Sequence, residues 1–505
     1  MNNRGPKMRT EWHRKGSRNM LSANHSASRR RIRGHSVALM VLLCLATLMG
    51  CAAGPNFQRP HVQVPANWAG PTIQAATLAE KDLARWWTIF EDPTLTSLVE
   101  RAVEFNLDLK LAEARIRQAR AVRRGAASGL GPTVAATGSF QRGQSPGSSG
   151  TIVGGDTKGQ ISNQYQAGFD AGWELDIFGG VRRGVEAADA DLQAAMETRR
   201  DVLVTLTAEV ARNYIDLRTF QQRIAIARQN LQAQERSGRL TRQRFEGGFA
   251  SGLDVANAQA QVATTASQIP LLEASAQQII YSISILLGRE PAALLGELSP
   301  PFEIPAGLPS VPVGVPSELL RRRPDIRRAE AEIHGATARI GVATADLFPR
   351  FNVTGSIGFQ ASNLTNWFTA ASRFSSFGPS VSWRLFETDR IRANIEQQEA
   401  LQEQSLIAYQ QTVLSGLREV ENALIASKKG QEHRQTVTDA VSANQKAVEL
   451  ATILYTEGQT DFLNVLEAQR SLYASQDALV QSSGTVSTNL VALYKALGGG
   501  WEGQP

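Results

Sequence analysis

From Leu203 the apolar positions fall at Leu206, Val210, Leu217, Phe220, Ile224, Ala227 and Leu231, in alternating steps of three and four with Asn213 the polar member of the series. The rhythm returns at Leu272, Ala276, Ile279, Ile283 and Leu286. So narrow a stripe is the seam of a coiled coil, since a helix lying on a globular core carries a wider apolar face. Between the two runs stands Phe245-Glu246-Gly247-Gly248-Phe249-Ala250-Ser251-Gly252-Leu253, where three glycines break a pattern that otherwise extends from about Gly184 to about Leu287. The spacing predicts two long antiparallel helices joined at a tight tip. About 60 residues of helix before the tip would reach roughly 90 Å, so the hairpin must leave the body of the protein. Pro270, inside the return helix, predicts a kink or a restart.

A second periodicity, of two, marks four segments as strands. Val134, Ala136, Gly138 and Phe140 alternate with polar or small residues, as do Tyr165 through Ile177, Phe351 through Phe359, and Val381, Trp383 and Leu385. Four strands cannot close a barrel, and an open sheet with an apolar outer face is unstable in water or lipid. Three chains would supply twelve strands, enough for an outer-membrane barrel with an open lumen.

The two patterns occur twice. At an offset of 210, Trp173, Glu209, Val210, Gly248, Leu253, Val255, Ala258 and Gln259 match Trp383, Glu419, Val420, Gly458, Leu463, Val465, Ala468 and Gln469. Upstream, Asp108, Ala112, Glu113, Ile116, Pro132 and Gly138 match Asp325, Ala329, Glu330, Ile333, Pro349 and Gly355 at an offset of 217, the difference falling in the Gly/Ser stretch Gly143 to Gly159. The chain is therefore a tandem duplication. The expected organisation is an export signal over 1–50, an extended arm over 51–88, a first repeat over 89–298, a Pro-rich linker over 299–316, a second repeat over 317–500 and a tail over 501–505. Asp92-Pro93 starts one helix reaching about Ala126. The second long helix is expected from about Asp389 to Tyr455, with a return to about Leu497.

Charge changes this picture only at the start of the chain. The formal net charge of +6 is concentrated in residues 1–50, which hold ten Lys/Arg and one acid; the remaining 43 basic and 46 acidic residues come to about −3. A nucleic-acid partner thereby loses its electrostatic support. The basic stretch, the apolar run Val37 to Ala46 and Leu48-Met49-Gly50-Cys51 read as an export signal ending in a lipobox, with translation starting at Met1, Met8 or Met20. Cys51 is the single cysteine left after processing, which suits a lipid tether and excludes an internal disulfide.

These features together resemble the TolC-like outer-membrane factor family, in its lipoprotein branch of OprM and NodT-type proteins. The motifs are the lipobox followed by Gly54-Pro55-Asn56-Phe57, the run Leu319-Leu320-Arg321-Arg322-Arg323-Pro324-Asp325-Ile326, the two tips, the stretch from Asn464 through Arg470, and the ending Tyr494-Lys495-Ala496-Leu497-Gly498-Gly499-Gly500-Trp501. The resemblance covers Cys51 to Trp501. It implies an α+β membrane protein: a homotrimer with a twelve-stranded outer-membrane β-barrel, four strands per chain, continued by a coiled-coil periplasmic tunnel. It implies the exit duct of a tripartite efflux system, docking on a periplasmic adaptor and an inner-membrane RND-type transporter. The family's periplasmic gate maps onto Tyr455, Leu463 and Glu467, with Glu467 standing where the OprM-like pattern has Asp. The tips Gly247, Gly248, Ser251, Gly252 and Leu253, and Gly458, Thr460 and Asp461, would dock the adaptor; Arg244 and Asp254 flank the first tip as a possible lock.

No enzymatic chemistry competes with this reading. His61, His334 and His433 share no metal-ligand spacing, and the chain lacks a phosphate loop, a Gly-x-Ser-x-Gly elbow and a Cys/His pair. No cofactor or metal is expected. Glu113 and Glu330 occupy equivalent places, which favours structural roles. Two rivals stay open: a protein-secretion duct, and a lipid-anchored coiled-coil scaffold without a pore, which would need no amphipathic strands.

Overall fold

The computed structural model describes residues 52–69, 83–144, 161–306 and 314–501. The export signal, Cys51 and the tip of the longer Gly/Ser loop lie outside the described residues. Among the described residues eight helices and four strands follow in order: α1 Pro93–Phe105, α2 Leu107–Ser128, β1 Thr133–Gln144, β2 Ile161–Leu175, α3 Gly180–Glu246, α4 Gly252–Leu286, α5 Pro316–Arg322, α6 Pro324–Ala345, β3 Arg350–Ala361, β4 Arg373–Ser382, α7 Thr388–Thr456 and α8 Phe462–Ala496. Short helical turns at Trp86–Phe90, Pro291–Leu298, Leu364–Asn366 and Ala370–Ser372 complete them. The elements form two compact units that cut across the repeats. One holds both β-hairpins (Leu130–Arg182 and Thr344–Thr388), the other the helices of both repeats.

In the β unit the strands pair antiparallel in the order β1-β2-β3-β4. Register places Val134, Ala136 and Phe140 beside Phe169 and Trp173, then Val353, Ile357 and Phe359, then Phe377 and Val381 on one face. The opposite face carries Thr137, Ser139, Gln166, Asp170, Glu174, Asn352, Thr354, Ser356, Ser376 and Ser380. A sheet apolar on one side and hydroxyl- and amide-rich on the other is a wall between lipid and an aqueous lumen. The duplication survives at the level of single hydrogen bonds. Trp173 Nε1 donates to the Leu130 carbonyl at 3.0 Å and Trp383 Nε1 to the Leu347 carbonyl at 3.1 Å, donors 210 apart and acceptors 217 apart. Along β2, eight residues separate Trp173 from Tyr165, which packs with Phe140 and Trp367. Those eight residues span about 26 Å of strand, or about 20 Å across the membrane at the roughly 40° tilt of barrel strands, so aromatic residues rim an apolar band.

The fourth strand departs from the expectation. It runs Arg373–Ser382, so Trp383 and Leu385 follow it instead of lying within it. Their alternation belongs to the turn into α7, and the true start of β4 is masked in sequence by Ser375 and Ser376, which face the two sides of the sheet.

In the helical unit α3 and α7 are 67 and 69 residues long, so each extends about 100 Å. Leu203, Leu206, Val210, Leu217, Ile224 and Ala227 are buried as the seam requires. On α4 the buried line is Leu272, Ala276, Ile280 and Ile283, one residue off the expected Ile279. α4 passes through Pro270 without interruption. By length and hydropathy α4 could cross a membrane. It is instead one limb of a hairpin whose other limb carries Arg236, Arg239, Arg242 and Arg244, charges that hydrocarbon would not accept.

Three further differences have local causes. The helix from Asp92 is two helices, α1 and α2, because Asn106 ends one and caps the next: its Oδ1 accepts from the amides of Asp108 and Leu109, and its amide donates to the Leu286 carbonyl. The second repeat breaks 217 residues later, at Arg323-Pro324, between α5 and α6. The arm ends before residue 88, since Leu83, Trp86, Trp87 and Phe90 are core residues, with Trp86 stacked on Tyr494 at 5.4 Å. Earlier in the arm, Phe57, Val62 and Val64 pack against Ile326, Ile333 and Tyr409. Glu113 pairs with Arg199 of α3 and Glu330 with Arg59 of the arm, so the duplicated glutamates have taken different ion-pair partners.

Candidate functional site

Both tips in the helical unit are built by the same three hydrogen bonds. The amides of Gly247, Gly248 and Phe249 donate to the carbonyls of Gln243, Phe245 and Arg244; those of Glu457, Gly458 and Gln459 donate to Ile453, Tyr455 and Leu454. Each bond is repeated at the offset of 210. Gly248 (φ 81°) and Gly458 (φ 75°) take the left-handed conformation that closes a helix, which explains the glycines without recourse to a ligand. The helices after the tips start differently. Ser251 and Asp254 form a reciprocal capping box on α4, whereas Asp461 at the start of α8 makes no side-chain cap bond.

Equivalent positions have diverged in exposure. Phe245, Phe249 and Leu253 are exposed on the first tip, Phe249 to 78%. On the second, Tyr455, which corresponds to Phe245, is only 4% exposed and packs with Phe462, Val465, Leu466 and Ala258. Its ring lies under the Arg244 guanidinium at 4.9 Å, and its hydroxyl reaches Thr241 Oγ1 at 3.4 Å. Arg244 also donates to the Thr456 carbonyl at 2.9 Å. The lock expected of Arg244 and Asp254 thus divides: Arg244 joins the second hairpin of the same chain, and Asp254 is absorbed by its own helix cap.

Leu463 and Glu467, four residues apart on α8, share one exposed helical face, with Leu463 55% exposed. The structure brings these two together and places Tyr455 in the interior of the helical unit. Glu467 accepts from Arg470 at 3.1 Å, and the same guanidinium donates through Nε to Gln261 of α4 at 2.7 Å. Further from the tip, Gln469 donates to Ser237, Tyr473 to Gln268, and Arg223 forms a two-bond pair with Asp477. The two hairpins are therefore laced by polar rungs. Arg470, Phe245 and Phe249 are the residues of this region that sequence reasoning left without a role, although the offset of 210 aligns Phe245 with Tyr455 and gave the means to find it. Gly247, Gly252 and Thr460 lie at the exposed turns; the Thr460 hydroxyl accepts from Asn464 at 2.6 Å.

Among the described residues no group of three or more His, Cys, Asp or Glu side chains could hold a metal ion. The tips offer charged, amide and apolar surface and no arrangement of nucleophile and base.

Comparison with known proteins places these features in context. The sequence profile described as "Outer membrane efflux protein" matches residues 98–289 and 315–499. The chain is 32% identical to Outer membrane protein OprJ of Pseudomonas aeruginosa, over 93% of this chain and 97% of that protein. It is 33% identical to Pyoverdine export outer membrane protein OpmQ of the same species, over 92% and 98%. The solved structure of the outer-membrane channel OprN superposes with a TM-score of 0.82 at 38% identity, covering 89% of this chain and 100% of that one.

Proposed function

The chain belongs to the outer membrane efflux protein family and is an outer-membrane efflux duct with a periplasmic helical extension, and from that premise we propose that its second tip gates the flow while its first receives the periplasmic partner. The observation that carries this division is the divergence of duplicated positions: Leu253 with Phe249 and Phe245 make an exposed apolar tip, while the corresponding hairpin buries Tyr455 and presents Leu463 with Glu467.

Three protomers close the barrel, because β1 and β4 are open edges and twelve strands enclose a lumen. Threefold symmetry then turns Leu463 into a ring of apolar side chains and Glu467 into a ring of carboxylates one helical turn away. A narrow acidic ring favours cations. Arg470 sits beside each Glu467, so the ring is partly neutralised and tied to Gln261. Tyr455 serves as the interior latch: clamped by Arg244, it holds the second tip to the first. Opening requires the second hairpin to swing away, breaking the Arg244 and Arg470 bonds. Docking centres on Gly247, Gly248, Ser251, Gly252 and Leu253 of the first tip, with Gly458, Thr460 and Asp461 of the second as the flanking contact through which the adaptor of an inner-membrane RND-type pump reaches the gate, and Cys51 carries the lipid tether. The duct catalyses no reaction, the pump supplying the energy.

Single-channel conductance tests the gate. Glu467→Ala and Leu463→Ala enlarge the openings, and Glu467→Ala also reduces cation preference. Tyr455→Ala raises the frequency of opening without changing ion preference. Conductance equal to wild type in all three variants would remove the gate from this tip.

A further inference from the structure

The outward face of the β-sheet holds a groove of about 750 Å³, within the range of lipid- and ligand-sized sites. Its floor is made by Ala136, Ala167 and the backbone of Gly168 and Gly358, and its walls by Phe169, Phe359 and Phe368. The floor is low because its outward side chains are only Ala136 and Ala167. On the opposite face of the same strands the paired Gly168 and Gly358 are sites where only glycine fits, since a Cβ would stand 2.6 Å from the Ile357 carbonyl oxygen or 2.4 Å from that of Ala167. Small residues among aromatics leave a channel on a face that is otherwise filled.

The charges on that face are one-sided. Along the outward positions of the four described strands there is no Asp or Glu, and the charged residues are Arg142 and Arg373. Both lie at the end of the sheet where β1 meets β2 and β3 meets β4 by loops, away from the strand ends that lead into the long helices. In an outer-membrane duct with periplasmic helices, that end belongs to the outer leaflet. Both arginines are exposed and make no ion pair among the described residues, and Arg373, opposite Phe359, lines the groove. By contrast, Arg350 at the other end of β3 is paired with Asp346 and Glu174. A guanidinium at the hydrocarbon boundary without an acidic partner is matched by a phosphate, which it binds by two parallel hydrogen bonds.

We propose that this groove, with Arg373 at its mouth and Arg142 on the same rim, binds an acyl chain and a phosphate of lipopolysaccharide in the outer leaflet. The inference rests on the barrel reading above. Occupancy would fix the barrel's depth and brace the thin glycine seam between β2 and β3.

Native mass spectrometry of the full-length, detergent-extracted protein, titrated with hexa-acylated lipid A and separately with phosphatidylglycerol, tests it. The proposal expects saturable lipid A adducts of up to three per trimer and none of comparable strength with phosphatidylglycerol. Arg373→Gln should weaken lipid A binding about tenfold, the loss of one charge-assisted contact, with Arg373→Lys restoring part of it. Ala167→Phe, which fills the groove while leaving both arginines in place, should abolish saturation. Equal lipid A binding in wild type, Arg373→Gln and Ala167→Phe would overturn the site, as would phosphatidylglycerol binding as tightly as lipid A. A conducting trimer that takes up no lipid A would overturn the lipid site alone; a non-conducting monomer would remove the barrel on which it rests.

Discussion

Arg323 shows how much one residue can hold. It lies in the arginine-proline run between α5 and α6, and its guanidinium is nearly buried, bonded to both carboxylate oxygens of Asp325, to the Ala496 carbonyl at 2.9 Å and to Glu419 at 2.7 Å. Burial opposes its charge, yet Asp325 and Glu419 hold its pKa above the usual arginine value. Gly416 and Gly498 give it room, since a Cβ at either would come within 3.2 Å of it. Replacing Arg323 by Met leaves Asp325 and Glu419 facing an empty site, and a loss of about 3 kcal/mol is expected in chemical unfolding followed by helical signal. Tyr214 makes a pH-dependent contribution. Burial, then its hydrogen bond to Asp92 at 2.7 Å, pushes the phenol up to about 12. A folded value above the unfolded one means that the contribution is complete below about pH 10 and is lost as pH rises toward 12. Tyr214→Phe should unfold at lower denaturant than wild type at pH 8, and the gap should close by pH 12. A gap that is constant from pH 8 to pH 12 would contradict the assignment. Neither residue's role was legible in the sequence: the arginine run could be recognised, but not which of its arginines is buried.

At the scale of elements, the long hairpins were readable because two local signals coincide, a three-four apolar rhythm and glycines at the tips. α7 and α8 begin and end within a few residues of the expected positions. The reading stopped where the seam turns polar. Beyond Leu231, and before the apolar cluster of Ala258, Tyr455, Phe462, Val465 and Leu466 at the tip, the seam includes buried polar positions, Gln234 and Thr241 on α3, Gln261 and Thr265 on α4, and Gln469 on α8, residues that an apolar pattern cannot register. Gln234 is 97% buried, and among the described residues neither its amide nitrogen nor its oxygen finds a partner. An unpaired buried amide costs about 1–3 kcal/mol, so the polar stretch around Gln234 is held less firmly than the apolar seam that precedes it. That is where a gate must part. Gln234→Leu should raise the thermal midpoint and lower the frequency of channel opening; a lower midpoint would show that the amide is satisfied in the working protein. The break at Asn106 escaped the sequence reading for a related reason. One side chain ends α1 and caps α2 there, and helix propensity carries no signal for such a hinge.

For the whole molecule, sequence and structure agree on what the chain is built to do because the requirement is global. A four-stranded sheet, apolar on one face and polar on the other, has no stable solution alone, and two hairpins laced by Arg244, Arg470 and Arg223 end in tips of different character. Assembly into a closed barrel answers the first, and a division between docking and gating answers the second. The pore-free scaffold predicts neither an alternating sheet nor aromatic girdles about 26 Å apart along a strand. The central claim is that the assembled protein is a closed-barrel conduit. Its most direct measurement is planar-bilayer conductance of the purified wild-type protein, with oligomer mass determined on the same sample. The account predicts a trimer giving small, weakly cation-preferring openings. A folded trimer that never conducts, or a monomer with an intact sheet, would contradict it.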